Sequence, residues 1–221
     1  IIAGHGGLLA RADDEATHWQ SVASPSADLE TMIAAADGRY IASGEGGLIM
    51  ESMDSGRHWQ IANPALDDTM REVVALPRTS IFVAVGTLGA VLRSVDGGAT
   101  WRGVNVRYPN INTPPTFRAL LVEAFSNTLL AAGPPGTIMR SSDGGASWDL
   151  RHWTPFEAEE AFPWILGMAD DRSLVTIEAN GAFYRSRDGG TSWQRRAFET
   201  KRQLWHGATL RARGVSVAAG Q

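Results

Sequence analysis

Short apolar runs alternate with glycine-rich turns along the whole chain, and their order repeats. A continuous apolar run, such as residues 73–76 or 119–122, is followed by two β-type runs joined by a glycine-rich turn, as in residues 41–49 and 130–138. Runs of this length, bounded by turn residues, are typical of strands, and no helical periodicity competes with them. Each repeat therefore predicts four short strands, of which the fourth is the run that follows the next turn. They are named inner, second, third and outer in chain order.

The third strand of each repeat leads into a turn with the motif Ser-x-Asp-Gly-Gly-x-x-Trp, called the Asp-box turn below. Three copies match fully, at residues 94–101, 141–148 and 186–193. The copy at 52–59 has serine in place of the first glycine, and the copy at 12–19 is degraded. The closing tryptophans lie 40, 42, 47 and 45 residues apart, at Trp19, Trp59, Trp101, Trp148 and Trp193.

Four strands in each repeat of this length predict an all-β fold, a β-propeller of about five four-stranded blades with Asp-box turns. A solenoid is the alternative, but the apolar inner strands fit better with packing on both faces around a central axis. One propeller domain is predicted over residues 1–221. Because residues 1–7 and 215–221 both have the pattern of a second strand, both ends cut through a repeat. A fragment of a larger ring is favoured over a five-bladed ring with overlapping ends.

The Asp-box residues predict a structural role. The glycine pair supplies positive φ, the aspartate accepts hydrogen bonds from backbone N–H groups, and the tryptophan packs between sheets. Because the acids recur once in each blade, they should lie too far apart to act as a catalytic pair or as shared calcium ligands. The residues given this role are Asp54, Asp96, Asp143, Asp188, Trp59, Trp101, Trp148 and Trp193.

Composition excludes several classes of protein. Hydrophobic residues make up 43% and charged residues 20% of the chain, as in ordinary soluble domains rather than disordered ones. The net charge is −4 with only 20 Lys and Arg, so a nucleic-acid partner is not expected. No apolar run is long enough to span a membrane, and the absence of cysteine excludes disulfides and thiolate metal sites. The five histidines lack metal-site spacing, so no metal and no cofactor are predicted.

A binding face is predicted where the outer strand of one repeat leads to the inner strand of the next, since these links vary most in length. Arginine and tryptophan are enriched at binding hot spots, and arginine suits a carboxylate on a peptide. The alternative is that the arginines are solvated and the tryptophans cap the core. Five candidates share one register at the inner-strand starts, and two lie in an adjoining loop: Glu30, Arg71, Arg118, Trp164 and Trp205, with Arg107 and Tyr108.

The repeat resembles the Asp-box, or bacterial neuraminidase repeat, proteins over nearly the whole chain. The copy at residues 132–148 is most similar to the photosystem II stability/assembly factor family and its relatives in non-photosynthetic bacteria. The resemblance implies a non-enzymatic, exported propeller, typically seven-bladed, that assists membrane-protein assembly. The chain departs from that pattern in having only about five repeats.

The function expected from these observations is a scaffold, periplasmic or otherwise exported, that binds a protein or peptide, with a membrane-protein segment among the candidates. The alternative is a glycan-active enzyme or lectin, because sialidases and xyloglucan-cleaving enzymes also carry Asp-box turns. The chain lacks the Phe/Tyr-Arg-Ile-Pro motif of sialidases; residues 116–119 come nearest and have no proline. No nucleophile–base pair stands out, and no catalytic residue is predicted.

Overall fold

The computed structural model consists almost entirely of antiparallel sheets. Contacts divide the chain into two units, Ile1–Asn105 and Val106–Gln221, and the single domain expected over residues 1–221 stays a prediction. The structure describes residues 1–12, 15–35, 38–63, 67–109, 113–123, 127–133, 136–152, 163–168, 173–178, 183–196, 204–210 and 215–220.

The first unit contains three sheets, in which strands that are neighbours in sequence are hydrogen-bonded neighbours in space. The first sheet consists of β1 (Ile2–Ala3), β2 (Leu9–Ala12) and β3 (Trp19–Ser21). The second consists of β4 (Leu29–Ala34), β5 (Tyr40–Gly44), β6 (Ile49–Ser52) and β7 (Gln60–Asn63). The third consists of β8 (Met70–Ala75), β9 (Phe82–Gly86), β10 (Val91–Ser94) and β11 (Arg102–Gly103).

The second unit repeats this arrangement. One sheet consists of β12 (Ala119–Val122), β13 (Leu129–Gly133), β14 (Thr137–Ser141) and β15 (Asp149–His152). The next consists of β16 (Pro163–Met168), β17 (Leu174–Glu178), β18 (Phe183–Ser186) and β19 (Gln194–Arg196), and the last of β20 (Leu204–Leu210) and β21 (Val215–Gly220). The four-strand repeat predicted from the apolar pattern is therefore present. The three-stranded first sheet begins with a second strand, and the last sheet pairs an inner with a second strand.

Within each unit, apolar side chains of neighbouring sheets pack against one another. In the first unit, buried Ile41 and Ile49 of the second sheet join Met70, Phe82 and Trp101 of the third sheet in one cluster. In the second unit, a cluster joins the sheet of β12–β15 to Leu174 of the sheet that follows. Packing of sheet against sheet explains why the inner and second strands read as continuous apolar runs rather than alternating ones.

The Asp-box turns connect third to outer strands and have one geometry. Ser94 Oγ donates to Asp96 Oδ1 at 2.7 Å and accepts from Gly98 N at 2.9 Å, while Asp96 accepts from Thr100 N at 3.0 Å. Asp143 and Asp188 accept the corresponding bonds from Ser147 N and Ser192 N, both at 2.9 Å. Each aspartate therefore holds the backbone of its own turn, as the sequence predicts.

Backbone conformation and tryptophan burial follow the same motif. Ser55, which replaces the first glycine in the second sheet's turn, keeps the positive φ of the other copies at 62°. Trp101 and Trp148 are each 8% exposed, and the indole N–H of Trp101 donates to Gly98 O at 2.8 Å. In the degraded copy, Trp19 is 48% exposed. Losing the motif therefore coincides with losing the buried tryptophan.

Candidate binding face at the inner-strand starts

The ends of the strands define two opposite sides of each sheet, called its edges below. Met70, at the start of inner strand β8, pairs with Gly86, at the end of second strand β9. The 3-10 turn Thr87–Gly89 that follows β9 therefore lies at the same edge as the inner-strand start. The Asp-box turn follows the third strand and lies at the opposite edge. Within this sheet, the start of the inner strand is thus separated from the Asp-box aspartate by the length of the strands.

A β-bulge marks the inner-strand start in four of the sheets. In the second sheet Leu29 pairs with Gly44 and Thr31 with Ser43, so Glu30 is the extra residue between them. Arg71, Trp164 and Trp205 are the extra residues at the corresponding shifts of their own sheets. Bulges re-aim side chains and are over-represented beside active sites. The position that these four residues share in the sequence repeat is therefore a β-bulge in the structure.

Arg118 lies at the equivalent place in the sheet of β12–β15. Its backbone N–H donates to Ala132 O at 2.9 Å, and Ala132 is also the register partner of Ala119. Two residues of the inner strand thus face one residue of the second strand, as at the bulges. The side chains of Trp164 and Trp205 lie outside the described part of the structure, so their role in binding stays a prediction.

Glu30 and Arg71 form an ion pair between two consecutive inner strands of the first unit. Arg71 Nη1 donates to Glu30 Oε1 at 2.9 Å, and the side chains are 29% (Arg71) and 25% (Glu30) exposed. Arg71 Nε is buried and donates no hydrogen bond to any described residue. Part of the guanidinium is therefore desolvated without an acceptor, which is costly unless something else supplies one.

Glu72 follows Arg71 and contacts the same pair of strands. Its Oε1 accepts a hydrogen bond from Thr31 Oγ at 3.3 Å. Burial raises the pKa of Glu72 to about 7, and the bonds from Thr31 and from Val73 N oppose the shift only in part. Sequence reasoning did not select Glu72, although two adjacent charges in an otherwise apolar inner strand were a usable signal.

The 3-10 turns add polar groups at this edge of the sheets. His5 Nδ1 and Asp28 Oδ2 are 2.6 Å apart, and Gly6 N donates to Asp28 Oδ1 at 2.6 Å. The hydrogen bond with Asp28 raises the pKa of His5. Glu45, in the turn Glu45–Gly47, accepts from Asp28 N at 3.2 Å. These contacts attach the turns of two neighbouring sheets to the segment that leads into β4.

The candidates of the adjoining loop differ from each other. Arg107 is exposed, whereas Tyr108 is partly buried, with its ring centroid 6.3 Å from that of the fully buried Phe117. Burial raises the pKa of Tyr108, so the phenol stays protonated at neutral pH. Tyr108 anchors the loop by packing, and Arg107 is the member of the pair that is accessible to a partner.

Glycine at the end of the second strands β5, β9 and β13 allows two backbone segments to meet at this edge. A Cβ atom on Gly44, Gly86 or Gly133 would lie 1.9, 2.0 or 2.1 Å from the carbonyl oxygen of Asp28, Thr69 or Thr116 respectively. Each of these carbonyls comes just before an inner strand. The glycines were interpreted from sequence as turn residues, and the structure adds that side chains are excluded at these points.

The described part of the chain has neither a cluster of metal-ligating residues nor a helix that could span a membrane. Among the described residues, no group of three or more His, Asp and Glu could hold a metal ion. No helix of the described residues is long and apolar enough to cross a bilayer.

Comparison with known proteins places the chain among propellers. It resembles the structure of YCF48 bound to a D1 peptide, with a TM-score of 0.62 and 20% identity over 82% of this chain and 56% of that one. It resembles YCF48 from Cyanidioschyzon merolae, with a TM-score of 0.61 and 18% identity over 84% and 62%. It also resembles the GH74 xyloglucanase from Xanthomonas campestris, with a TM-score of 0.64 and 15% identity over 99% of this chain and 40% of that one. At these identities the likeness shows the fold, which is a β-propeller of four-stranded blades.

The chain spans less than two thirds of the length of either YCF48 structure. No curated protein matches its sequence. The profile of the family described as photosynthesis system II assembly factor YCF48 matches residues 65–214, which is more than half of the chain, and the chain therefore belongs to this family.

Proposed function

We propose that this chain is a non-enzymatic scaffold that binds a protein or peptide partner through the inner-strand starts. The observation that carries the proposal is the shared position of Glu30, Arg71 and Arg118, each of which is a charged residue at the inner-strand start of its own sheet. Arginine is suited to a carboxylate because its planar guanidinium can donate two parallel hydrogen bonds. The partner we propose carries an acidic side chain or a free C-terminal carboxylate in an accessible segment.

The family supports this class of function. A YCF48 structure holds a D1 peptide, so a propeller of this family binds a peptide. We extend that behaviour to this chain, with a membrane-protein segment as the partner and assembly of a membrane complex as the process. We propose that the chain acts outside the cytoplasm. Fractionation of cells that express the full open reading frame would test this, and recovery in the cytoplasm alone would contradict it.

Capture of partners from detergent-solubilised membranes tests the binding face. We expect wild type to retain specific proteins that the double variant Arg71→Ala/Arg118→Ala retains at least several-fold less, because hot-spot residues each contribute more than about 1 kcal/mol. Quantitative mass spectrometry of the retained proteins is the measurement.

A matched control removes two arginines from the opposite edge of the sheets. Arg57 and Arg187 are exposed residues of two Asp-box turns, one in each unit. Arg57→Ala/Arg187→Ala changes the net charge as much as the first variant does and should leave capture unchanged. Equal recovery with all three proteins would contradict the proposed face.

The glycan-active alternative keeps one supporting observation, which is the likeness of the fold to a GH74 xyloglucanase. A likeness at this identity carries no activity. Incubating the same purified chain with xyloglucan and with sialosides distinguishes the two proposals. Release of reducing sugar or sialic acid would contradict the scaffold proposal.

A further inference from the structure

The ion pair at the binding face places an internal carboxylate on the arginine that would receive an external one. Glu30 and Arg71 are both bulge residues, and they meet across consecutive inner strands at 2.9 Å. Their side chains are one quarter to one third exposed, so solvent and solutes reach the pair. An acidic ligand that approaches Arg71 therefore meets a guanidinium that already has an anionic partner.

The bond that Glu30 makes leaves much of the guanidinium unused. Arginine carries five N–H donors, and two of them on one side match the two oxygens of a carboxylate. Here Nη1 is the atom that contacts Glu30, while Nε is buried and donates to none of the described residues. Because Nε is buried, a carboxylate from solution can bind two donors only through Nη1 and Nη2, and Nη1 is the donor that Glu30 occupies.

The neighbouring carboxyl does not compete for the same donors. Glu72 lies next to Arg71 in sequence, but its Oε1 accepts from Thr31 Oγ, and the hydrogen bonds among the described residues do not join it to the guanidinium. Burial also raises its pKa to about 7, so its negative charge is only partly developed at neutral pH. Glu30 is thus the carboxylate that occupies Arg71.

We propose that Glu30 is an internal competitor that a ligand carboxylate must displace from Arg71, and that it thereby sets the affinity and selectivity of the face. The inference rests on the proposed function, since it assigns the ligand group that the same face receives. In the free protein Glu30 neutralises Arg71, which limits capture of weak or singly bonded anions. In the bound state the ligand takes Arg71, and the released Glu30 disfavours a second acidic group beside it and favours a basic one.

The test uses a small probe rather than the unidentified partner. N-acetylglycine carries the amide and the carboxylate of a peptide C-terminus, and N-acetylglycinamide is its uncharged counterpart. Binding is followed by the Nε–H resonance of Arg71 in the whole chain, assigned by its loss in Arg71→Lys. We expect N-acetylglycine to shift this resonance saturably and the amide to leave it in place.

The decisive variant is Glu30→Gln, which keeps the shape of the side chain and removes its charge. Partly exposed ion pairs contribute little free energy. We therefore expect the N-acetylglycine concentration that half-saturates Glu30→Gln to be about two- to fivefold lower than that for wild type. Glu45→Gln is the matched control, since it removes one negative charge at the same edge from a carboxylate that accepts its hydrogen bond from Asp28 N rather than from Arg71. Its effect should be smaller than that of Glu30→Gln. Glu30→Asp, which keeps the charge but shortens the reach, should give an intermediate value and serves if the glutamine variant misfolds.

Three results would overturn the inference. One is that N-acetylglycine gives no saturable shift in wild type or in any of the variants. Another is weaker or equal binding by Glu30→Gln, which would mean that Glu30 orients Arg71 for ligands rather than competing with them. The third is an equal gain in Glu45→Gln, which would indicate long-range electrostatics alone. The proposed function fails separately: partners captured from membranes would be recovered equally with wild type and with Arg71→Ala/Arg118→Ala, while Arg71 still binds the probe.

Discussion

Trp101 and Trp19 occupy the same position in two copies of one turn and differ mainly in burial. Trp101 is 8% exposed and its ring centroid lies 6.4 Å from that of Phe82 in an edge-on contact, whereas Trp19 is 48% exposed. The burial follows from the intact motif of residues 94–101, in which the serine and aspartate fix the backbone that carries the ring. The degraded motif of residues 12–19 keeps an aspartate, Asp14, but has Ala12 in place of the serine and Glu15-Ala16 in place of the glycine pair.

This difference predicts unequal costs of truncation. Trp101→Ala should lower the free energy of unfolding by about 3–5 kcal/mol, as expected when a buried aromatic side chain leaves a cavity. Trp19→Ala should change it by no more than about 0.5–1 kcal/mol, because half of that side chain is already in contact with water. Urea unfolding followed by circular dichroism measures both values. Similar losses in the two variants would mean that the turns do not stabilise the sheets through the buried tryptophan.

At the scale of the strand, glycine decides how closely an inner strand can approach its second strand. Gly86 and Gly4 end equivalent second strands, and both are extended, with φ of −160° and −175°. A Cβ on Gly86 would lie 2.0 Å from Thr69 O, while on Gly4 the nearest atom would be Leu8 Cδ2 at 3.8 Å. The first sheet contains only second, third and outer strands, so no inner strand of its own crowds Gly4.

Alanine at these two positions separates crowding from backbone conformation. Because any residue can adopt these φ values, only the space differs. Gly86→Ala should cost about 1–3 kcal/mol or more, as overpacking does, and Gly4→Ala should be nearly neutral. Thermal unfolding of the two variants is the measurement. A destabilised Gly4→Ala protein with an unchanged Gly86→Ala protein would contradict the close approach seen between β8 and β9.

The sequence was sufficient for the strands and for the register of the inner strands, and insufficient for what happens between sheets. Apolar runs and turn residues are local signals, so the four-strand repeat and the geometry of the Asp-box turns followed from them. The pairing of Glu30 with Arg71 and the burial of Glu72 against Thr31 join residues about forty positions apart. Such contacts depend on the distance and angle between neighbouring sheets, which no local pattern encodes.

At the scale of the whole molecule, the repeated turns and the buried acid should give stability a maximum in mildly acidic solution. Hydrogen bonds lower the pKa of Asp96 to about 2, chiefly those of Thr100, and that of Asp188 to about 2, chiefly those of Ser192. At Asp143 partial burial opposes the shift, but hydrogen bonds led by Ser147 lower the pKa to about 2. A carboxyl with a lowered folded pKa stabilises the protein above its unfolded pKa of about 3.9. That stability is lost as the pH falls from about 4 towards 2.

Glu72 acts with the opposite sign on the other side of the maximum. Its folded pKa of about 7 lies above its ordinary value of 4.5, so the folded protein holds a proton that the unfolded chain releases, and stability falls as the pH rises from about 4.5 to 7. One pKa unit corresponds to about 1.4 kcal/mol; since Glu72 is only partly buried, we expect a loss on the order of 1–2 kcal/mol. Glu72→Gln should remove this loss and leave the acid side of the profile unchanged. A small slope should remain above pH 6.5, because the raised pKa of His5 also favours the fold at lower pH. Urea unfolding of wild type and Glu72→Gln from pH 3 to 8 measures the profile. Parallel curves for the two proteins between pH 4.5 and 7 would show that Glu72 is solvated, and the edge between β4 and β8 would then be more open to water than the contact with Thr31 implies.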